Sequence, residues 1–242
     1  PMLVIVFIMV VIVAIATMQE AGGIEYLVDL TERLLRRYPR LLVITAPLST
    51  WLLTMMASTG QVSFACMPVI VGVAKENNIK PTRALALSVS ASLLGIVASP
   101  ISAAVIFFSG ILEKSHSGWG YIELIAVSIP STFLALLVTS VFYLCWDRIR
   151  RQDRLYDNPV QVKARTGREI PPYAARSVLI FIVGLVVVLC YAIVTSPKLG
   201  LITAPVMSSG QARVGVMLGV ALLILVSCRV NVQKVPSGSV FK

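Results

Sequence analysis

Apolar positions along this chain come in long runs, not in the alternation of a half-buried strand or the single stripe of a soluble helix. Residues 2–18 carry no charge and are long enough, at ~1.5 Å per residue, to cover ~26 Å of a ~30 Å hydrocarbon core. They lack the basic start and small-residue cleavage site of a signal peptide. Residues 24–38 change character. Ile24, Leu27, Val28, Leu34, Leu35 and Tyr38 recur at helical spacing among Glu25, Glu32, Arg33, Arg36 and Arg37, which predicts an amphipathic helix lying in the interface. Two apolar arms, 41–57 and 62–74, then flank a short polar turn. The second arm would measure only ~20 Å as a helix, short for a crossing, so a re-entrant hairpin over 41–74 is expected. Crossing helices are expected at 84–112, 121–146, 177–195 and 213–228, with Pro130-Ser131-Thr132 as a tolerated kink. Residues 147–176 form a basic linker, 196–212 a loop of Pro, Gly and Ser, and 229–242 a polar end.

The pattern is broken twice where it is most apolar. Ala57-Ser58-Thr59-Gly60-Gln61-Val62-Ser63 interrupts the first pair of arms, and Ala98-Ser99-Pro100-Ile101-Ser102 interrupts 84–112. Hydrocarbon cannot solvate an unpaired N–H or C=O. Non-helical backbone at membrane depth is therefore tolerated only inside protein or beside a watery cavity. Two such breaks close together suggest a transporter site, where half-helix ends face a substrate or ion. The plainer reading is a loop between two spans followed by a proline kink.

Composition narrows the class. The 242 residues are 57% hydrophobic and 13% charged, which a soluble domain of this size would not need. The expected fold class is an all-α polytopic membrane protein, a helical bundle with a re-entrant hairpin and a broken transmembrane helix. The net charge of +10 is placed between the apolar runs, as the positive-inside rule requires, and no basic patch is interleaved with aromatics. Nucleic acid is thus not an expected partner. With both hairpin ends on the cytoplasmic side, eighteen Lys and Arg fall inside, leaving Lys114, Lys198 and Arg213 outside. That split orients the chain without separating a re-entrant hairpin from two full spans.

Candidate chemistry is sparse. Cys66, Cys145, Cys190 and Cys228 sit in or at the ends of apolar runs without metal-site spacing, and His116 is the only histidine, in a polar loop. No nucleotide, metalloprotease or serine-hydrolase motif occurs, so no catalytic residue, metal site or cofactor is expected and the chain is not read as an enzyme. No Asp, Glu, Lys or Arg lies between Leu41 and Ala74 or between Ala84 and Leu112. What remains is Ser58, Thr59, Gly60, Gln61 and Ser63 at one break and Ser99, Pro100 and Ser102 at the other. Hydroxyls, an amide and free N–H groups at half-helix N-termini are donors, and with the helix dipole they suit an anion. Gly60 would let backbone approach a ligand closely. Taken singly, each hydroxyl could equally satisfy helix backbone.

Here the residues carry a resemblance. The stretches AIATMQEAGGIEYLVDLTERLLRRYPR, STGQVSFACMPVIVGVAKENNIKP and IVASPISAAVIFFSGILE resemble the anaerobic four-carbon dicarboxylate (Dcu) transporters. The likeness continues through IPSTFLALLV into SPKLGLI and covers essentially the whole chain. It implies a multi-pass protein of the bacterial inner membrane that exchanges fumarate, malate or aspartate for succinate in anaerobic respiration. It also implies a superfamily of two inverted repeats, each with a re-entrant hairpin and a broken helix whose tips hold substrate carboxylates. By position, Ser58, Thr59 and Gly60 become the hairpin tip and Ser99, Pro100 and Ser102 the helix break. Since Pro1 stands where a methionine would begin a chain, the sequence is expected to be internal to a longer one, without the first helix and most of the second repeat. Residues 1–146 would then be the first-repeat unit, 147–176 the cytoplasmic linker and 177–242 the start of a second helical group. The expected partners are dicarboxylates and the lipid bilayer, with a homo-oligomer left open. Two other readings stay open: a sodium-coupled carboxylate symporter of the same superfamily, and a non-transporting membrane scaffold.

Overall fold

A computed structural model describes residues 2–115, 120–150, 171–194 and 209–228. Among these the chain forms only helices and the turns between them, an all-α polytopic membrane protein. The helices are α1 (Met2–Glu20), α2 (Gly23–Arg37), α3 (Leu42–Ala57), α4 (Gln61–Glu76), α5 (Thr82–Ala98), α6 (Ala103–Lys114), α7 (Tyr121–Arg150), α8 (Ala174–Val194) and α9 (Ser209–Ser227), with a 3-10 turn at Pro39–Leu41 before α3. Each apolar run of the sequence is helical because, without water, only a helix satisfies its own N–H and C=O groups within one segment. His116, the linker residues 151–170, most of the 196–212 loop and the end 229–242 lie outside the described residues.

Tyr121–Trp146 and Ala174–Val194 are long and apolar enough to cross a membrane on their own. Two bent pairs, α1 with α2 and α5 with α6, raise the number to four if each pair is one span. The sequence reading expects five crossings, counting 2–18 and 213–228 as complete. Within the residues whose side chains are described, Ile5–Glu20 meets that test together with α2, and Val214–Ser227 is a shorter apolar segment; in full, α1 and α9 are 19 residues each. Both arms of the 41–74 region are 16 residues long, the second three longer than the sequence pattern suggests, or ~24 Å each as helices. Pro130 does not end α7, which is 30 residues long and runs on to Arg150.

The helices pack as two compact units. One comprises Pro1–Tyr26, Ala103–Leu124 and Glu169–Lys242. In it α1 lies against α9, α8 and α6, and α8 against α9. Met18, Phe181, Met217 and Ile224 are fully buried there. Its α1 closes at Gly22, whose φ of +75° is ordinary only for glycine, with Pro171 packed against it.

The other unit comprises Leu27–Ser102 and Ile125–Arg168. Its centre is the pairing of α3 with α5, on which α4 rests. Trp51, Ala91, Ala98 and Leu136 form a buried cluster, joined at its edge by Leu48, Met55, Leu94 and Ile129. The Trp51 and Phe133 rings tilt against each other at 5.7 Å, a contact that fixes the indole between helices. On α2, Leu27 and Leu35 turn inward while Leu30 and Leu34 are exposed, as an interfacial amphipathic helix requires. Arg33 pairs with Asp29 at 2.8 Å, and Arg36 bridges Glu32 at 2.8 Å and Glu76 of α4 at 3.1 Å. These pairs are solvent-exposed and worth at most about 1 kcal/mol each.

Candidate functional site

The first break takes a shape that residue types alone do not reveal. Ala57 ends α3, and Ser58 turns the chain with φ 52° and ψ 22°, a left-handed conformation at the helix C-cap. Gly60 precedes α4 with φ −69°, a value any L residue adopts. The conformational demand at this tip therefore falls on Ser58, while Gly60 meets none. A β-carbon added at Gly60 would stand 3.6 Å from Ile96 Cδ1 and 3.6 Å from Ser92 Oγ, ordinary contact distances.

The Gly60 carbonyl accepts two bonds from Ser63, its N–H at 3.1 Å and its hydroxyl at 2.7 Å. Ser63 is buried, and its donors close the first turn of α4 instead of pointing toward a ligand. Ser58, Thr59 and Gly60 are half-buried, and Gln61 opens the helix. Gly60 has no side chain with which to cap α4, and of the donors in the first turn that of Ser63 is taken up by the Gly60 carbonyl.

At the second break α5 ends at Ala98. Ser99 adopts φ −73° and ψ 124°, and its N–H reaches back to the Ile96 carbonyl at 3.3 Å. Pro100 cannot continue a helix because it has no N–H and its ring clashes with the preceding turn. The Ser102 N–H then donates to the Ser99 carbonyl at 3.2 Å, and α6 starts one residue later. Ser99, Pro100 and Ser102 are all buried. Ser99 Oγ is wholly buried and has no hydrogen-bond partner.

The two breaks meet. Gly60 lies against Ser92 and Ile96, and Ser99 follows Ile96 by about one helical turn of ~5 Å. The hairpin tip and the end of α5 thus occupy the same end of the α3–α5 pair. The region contains no formal charge. Among the described residues, no cluster of three or more His, Cys, Asp or Glu could hold a metal ion.

Two features escaped the sequence reading. Gly95, in the middle of α5, admits the α3 backbone so closely that a β-carbon there would come within 2.8 Å of the Trp51 carbonyl oxygen, 2.9 Å of Thr54 Cβ and 3.2 Å of Met55 N. Thr54, wholly buried on α3, has a hydroxyl with no partner. The available signal was the recurrence of small residues Ala84, Ser88, Ala91, Ser92, Gly95 and Ala98 on α5, the pattern by which membrane helices approach closely.

Comparison with known proteins places this geometry in a family. A family profile described as "Anaerobic c4-dicarboxylate membrane transporter" matches residues 1–242. The chain is 44% identical over 249 residues to the C4-dicarboxylate transporter DcuA of Escherichia coli (strain K12), covering all of this chain and 57% of that protein. It is 40% identical to DcuA of Wolinella succinogenes over 247 residues, again with 57% of the relative covered. The anaerobic C4-dicarboxylate transporter DcuB of Escherichia coli O6:H1 matches at 36% over 157 residues, 64% of this chain and 35% of the relative. The chain therefore spans less than two thirds of the length of the curated relatives it matches. No solved structure matches it. With the profile covering every residue and its apolar helices able to span a bilayer, the chain belongs to the DcuA/DcuB family of anaerobic C4-dicarboxylate membrane transporters, multi-pass proteins of the bacterial inner membrane.

Proposed function

We propose that this chain carries one half of the substrate site of an antiporter that exchanges fumarate, malate or aspartate for succinate. The observation that carries the reading is the convergence of the two breaks, with Gly60 seated on Ser92 and Ile96 within about a turn of Ser99. The N–H groups at the start of α4, the hydroxyls of Ser58 and Thr59 and the Ser99 hydroxyl are donors in a stretch free of competing charge. A carboxylate only accepts hydrogen bonds, and a helix N-terminus adds a partial positive charge. Pro100 and Ser102 contribute by holding the break open, and Ser63 by closing the turn that presents the tip. The second carboxylate would be held by a corresponding hairpin and broken helix of an inverted repeat.

The relatives' printed names speak of C4-dicarboxylate transport, which agrees with this reading of the tip. Exchange in place of net uptake rests on the resemblance. A protein of the relatives' full length, reconstituted in vesicles, should take up labelled fumarate when succinate is inside, take up little into empty vesicles, and need no sodium. Strong sodium-driven net uptake would replace the antiporter by a symporter. No transport of any dicarboxylate in protein shown to be folded would leave a scaffold role.

A further inference from the structure

Helix α2 has a second apolar flank that its own docking does not use. Leu27, Thr31 and Leu35 are buried within the protein. Leu30 and Leu34, 54% and 44% exposed, lie one turn apart on another side of the helix. Arg33 and Arg37 follow them at a spacing of three residues and are exposed too. The four side chains thus form one patch, two leucines bordered by two guanidinium groups. Just beyond the helix, Tyr38 and Leu41 are exposed as well. Six of the 15 residues of α2 are charged, so the helix cannot sit in hydrocarbon and belongs where the bilayer meets water.

The charges on α2 are divided between its sides. Arg36 is held by Glu32 at 2.8 Å and by Glu76 at 3.1 Å, away from the leucines. Arg33 pairs with Asp29 at 2.8 Å, yet three-quarters of its side chain stays exposed (75%). Among the described residues no carboxylate pairs with Arg37. Its guanidinium carbon stands 5.7 Å from the centre of the Tyr38 ring, a cation–π contact that consumes none of its N–H donors. A cation in the last turn suits the helix dipole, but the dipole gives no reason for leucines to face outward beside it.

Water would satisfy the arginines of this patch and leave the leucines exposed. A zwitterionic lipid would cover the leucines, but its phosphate charge is offset by its own amine. An anionic phospholipid answers both. Its acyl chains cover the leucines, and its phosphate can accept two parallel bonds from one guanidinium group. The distribution of basic residues favours the cytoplasmic leaflet for this end of α2, the side with a negative surface potential. We propose that this flank of α2 is a binding site for an anionic phospholipid. Arg37, with Arg33 beside it, holds the headgroup phosphate, and Leu30 and Leu34 seat at the acyl-chain boundary. The proposal is independent of which solute is carried and of how its transport is coupled.

The test uses a protein of the relatives' full length carrying Leu34→Trp as a fluorescent reporter. It is reconstituted in phosphatidylcholine vesicles containing either brominated phosphatidylglycerol or brominated phosphatidylcholine, whose bromines quench an indole they touch. Quenching beyond that of the same protein without the reporter belongs to position 34. Both lipids should quench, the phosphatidylglycerol at about fivefold lower mole fraction, the weight of one basic residue at an anionic surface. Arg37→Gln should abolish that preference, and added salt should weaken it in the parent. Leu30→Trp, one turn earlier, repeats the measurement should the first reporter disturb assembly. Quenching by neither lipid would show the patch covered by protein. Equal quenching by the two, or a preference that survives Arg37→Gln, would show no headgroup site at this arginine. Either result overturns the inference.

Discussion

Gly95→Ala inserts a single methyl group where α3 and α5 touch backbone to backbone. Its β-carbon would meet the Trp51 carbonyl oxygen at 2.8 Å, Thr54 Cβ at 2.9 Å and Met55 N at 3.2 Å. Two of these neighbours are main-chain atoms and the third is the first carbon of a side chain, so no rotamer change relieves the contact. The helices must separate by several tenths of an ångström, loosening the packing of Trp51, Ala91 and Ala98 with them. Overpacking of this kind costs about 1–3 kcal/mol, and alanine's better helix propensity returns up to about 1 kcal/mol. The expected net loss is about 1–2 kcal/mol, a fall in melting temperature of roughly 2–8 °C for a chain of this size. Gly60→Ala is the matched comparison, because its β-carbon meets neighbours only at 3.6 Å and its φ of −69° suits alanine. Gly72→Ala, with nothing within 4 Å, controls for the substitution itself. Thermal unfolding of the three variants in one detergent decides the matter. A Gly95→Ala protein as stable as the parent, beside a destabilised Gly60→Ala, would refute the assignment of close approach to Gly95.

Two further outcomes are expected. Ser99→Ala should lower fumarate–succinate exchange by about tenfold or more, as loss of a bond to a charged group does, whereas Ser131→Ala should change it little because the Ser131 hydroxyl already donates to the Ser128 carbonyl at 3.1 Å while that of Ser99 has no partner; equal effects on exchange, at matched protein amount, would show generic helix packing instead. Ser58→Gly should stabilise the fold by up to about 1 kcal/mol by relieving the left-handed backbone at φ 52° yet reduce exchange by removing a donor, and a melting temperature below the parent's would contradict the strain argument.

The helices were legible because apolar runs in this chain leave the backbone one way to satisfy itself. Their ends were legible where chemistry is unambiguous, as at Pro100, which separates the end of α5 from the start of α6. The tip was found at the right residues, but its inner logic was not. Glycine at position 60 looks like the residue that permits an unusual backbone, while the structure puts the positive φ on Ser58. A sequence records which residue could adopt a conformation, not which one the turn demands. Gly95 was passed over for the complementary reason: its role comes from α3 lying against it, a relation between residues 40 positions apart that periodicity within α5 does not express. Thr54 was hidden among many hydroxyls of α3, and only the hydrogen-bond inventory separates it from Ser49 and Thr50, which are satisfied within the helix.

That inventory also bears on how the protein is made. Thr45, Ser90 and Thr139 are exposed on their helices, and each hydroxyl bonds to the carbonyl four residues before it. Such residues carry no polar debt into the bilayer, so a segment holding them can leave the insertion machinery and face lipid alone before any neighbour arrives. Thr54, Ser88 and, on α7, Ser140 differ, since nothing in their own helices quiets them. During biogenesis α3, α5 and α7 are therefore the segments with most reason to stay near one another or near water, and these unquieted hydroxyls bear on the order in which the bundle closes.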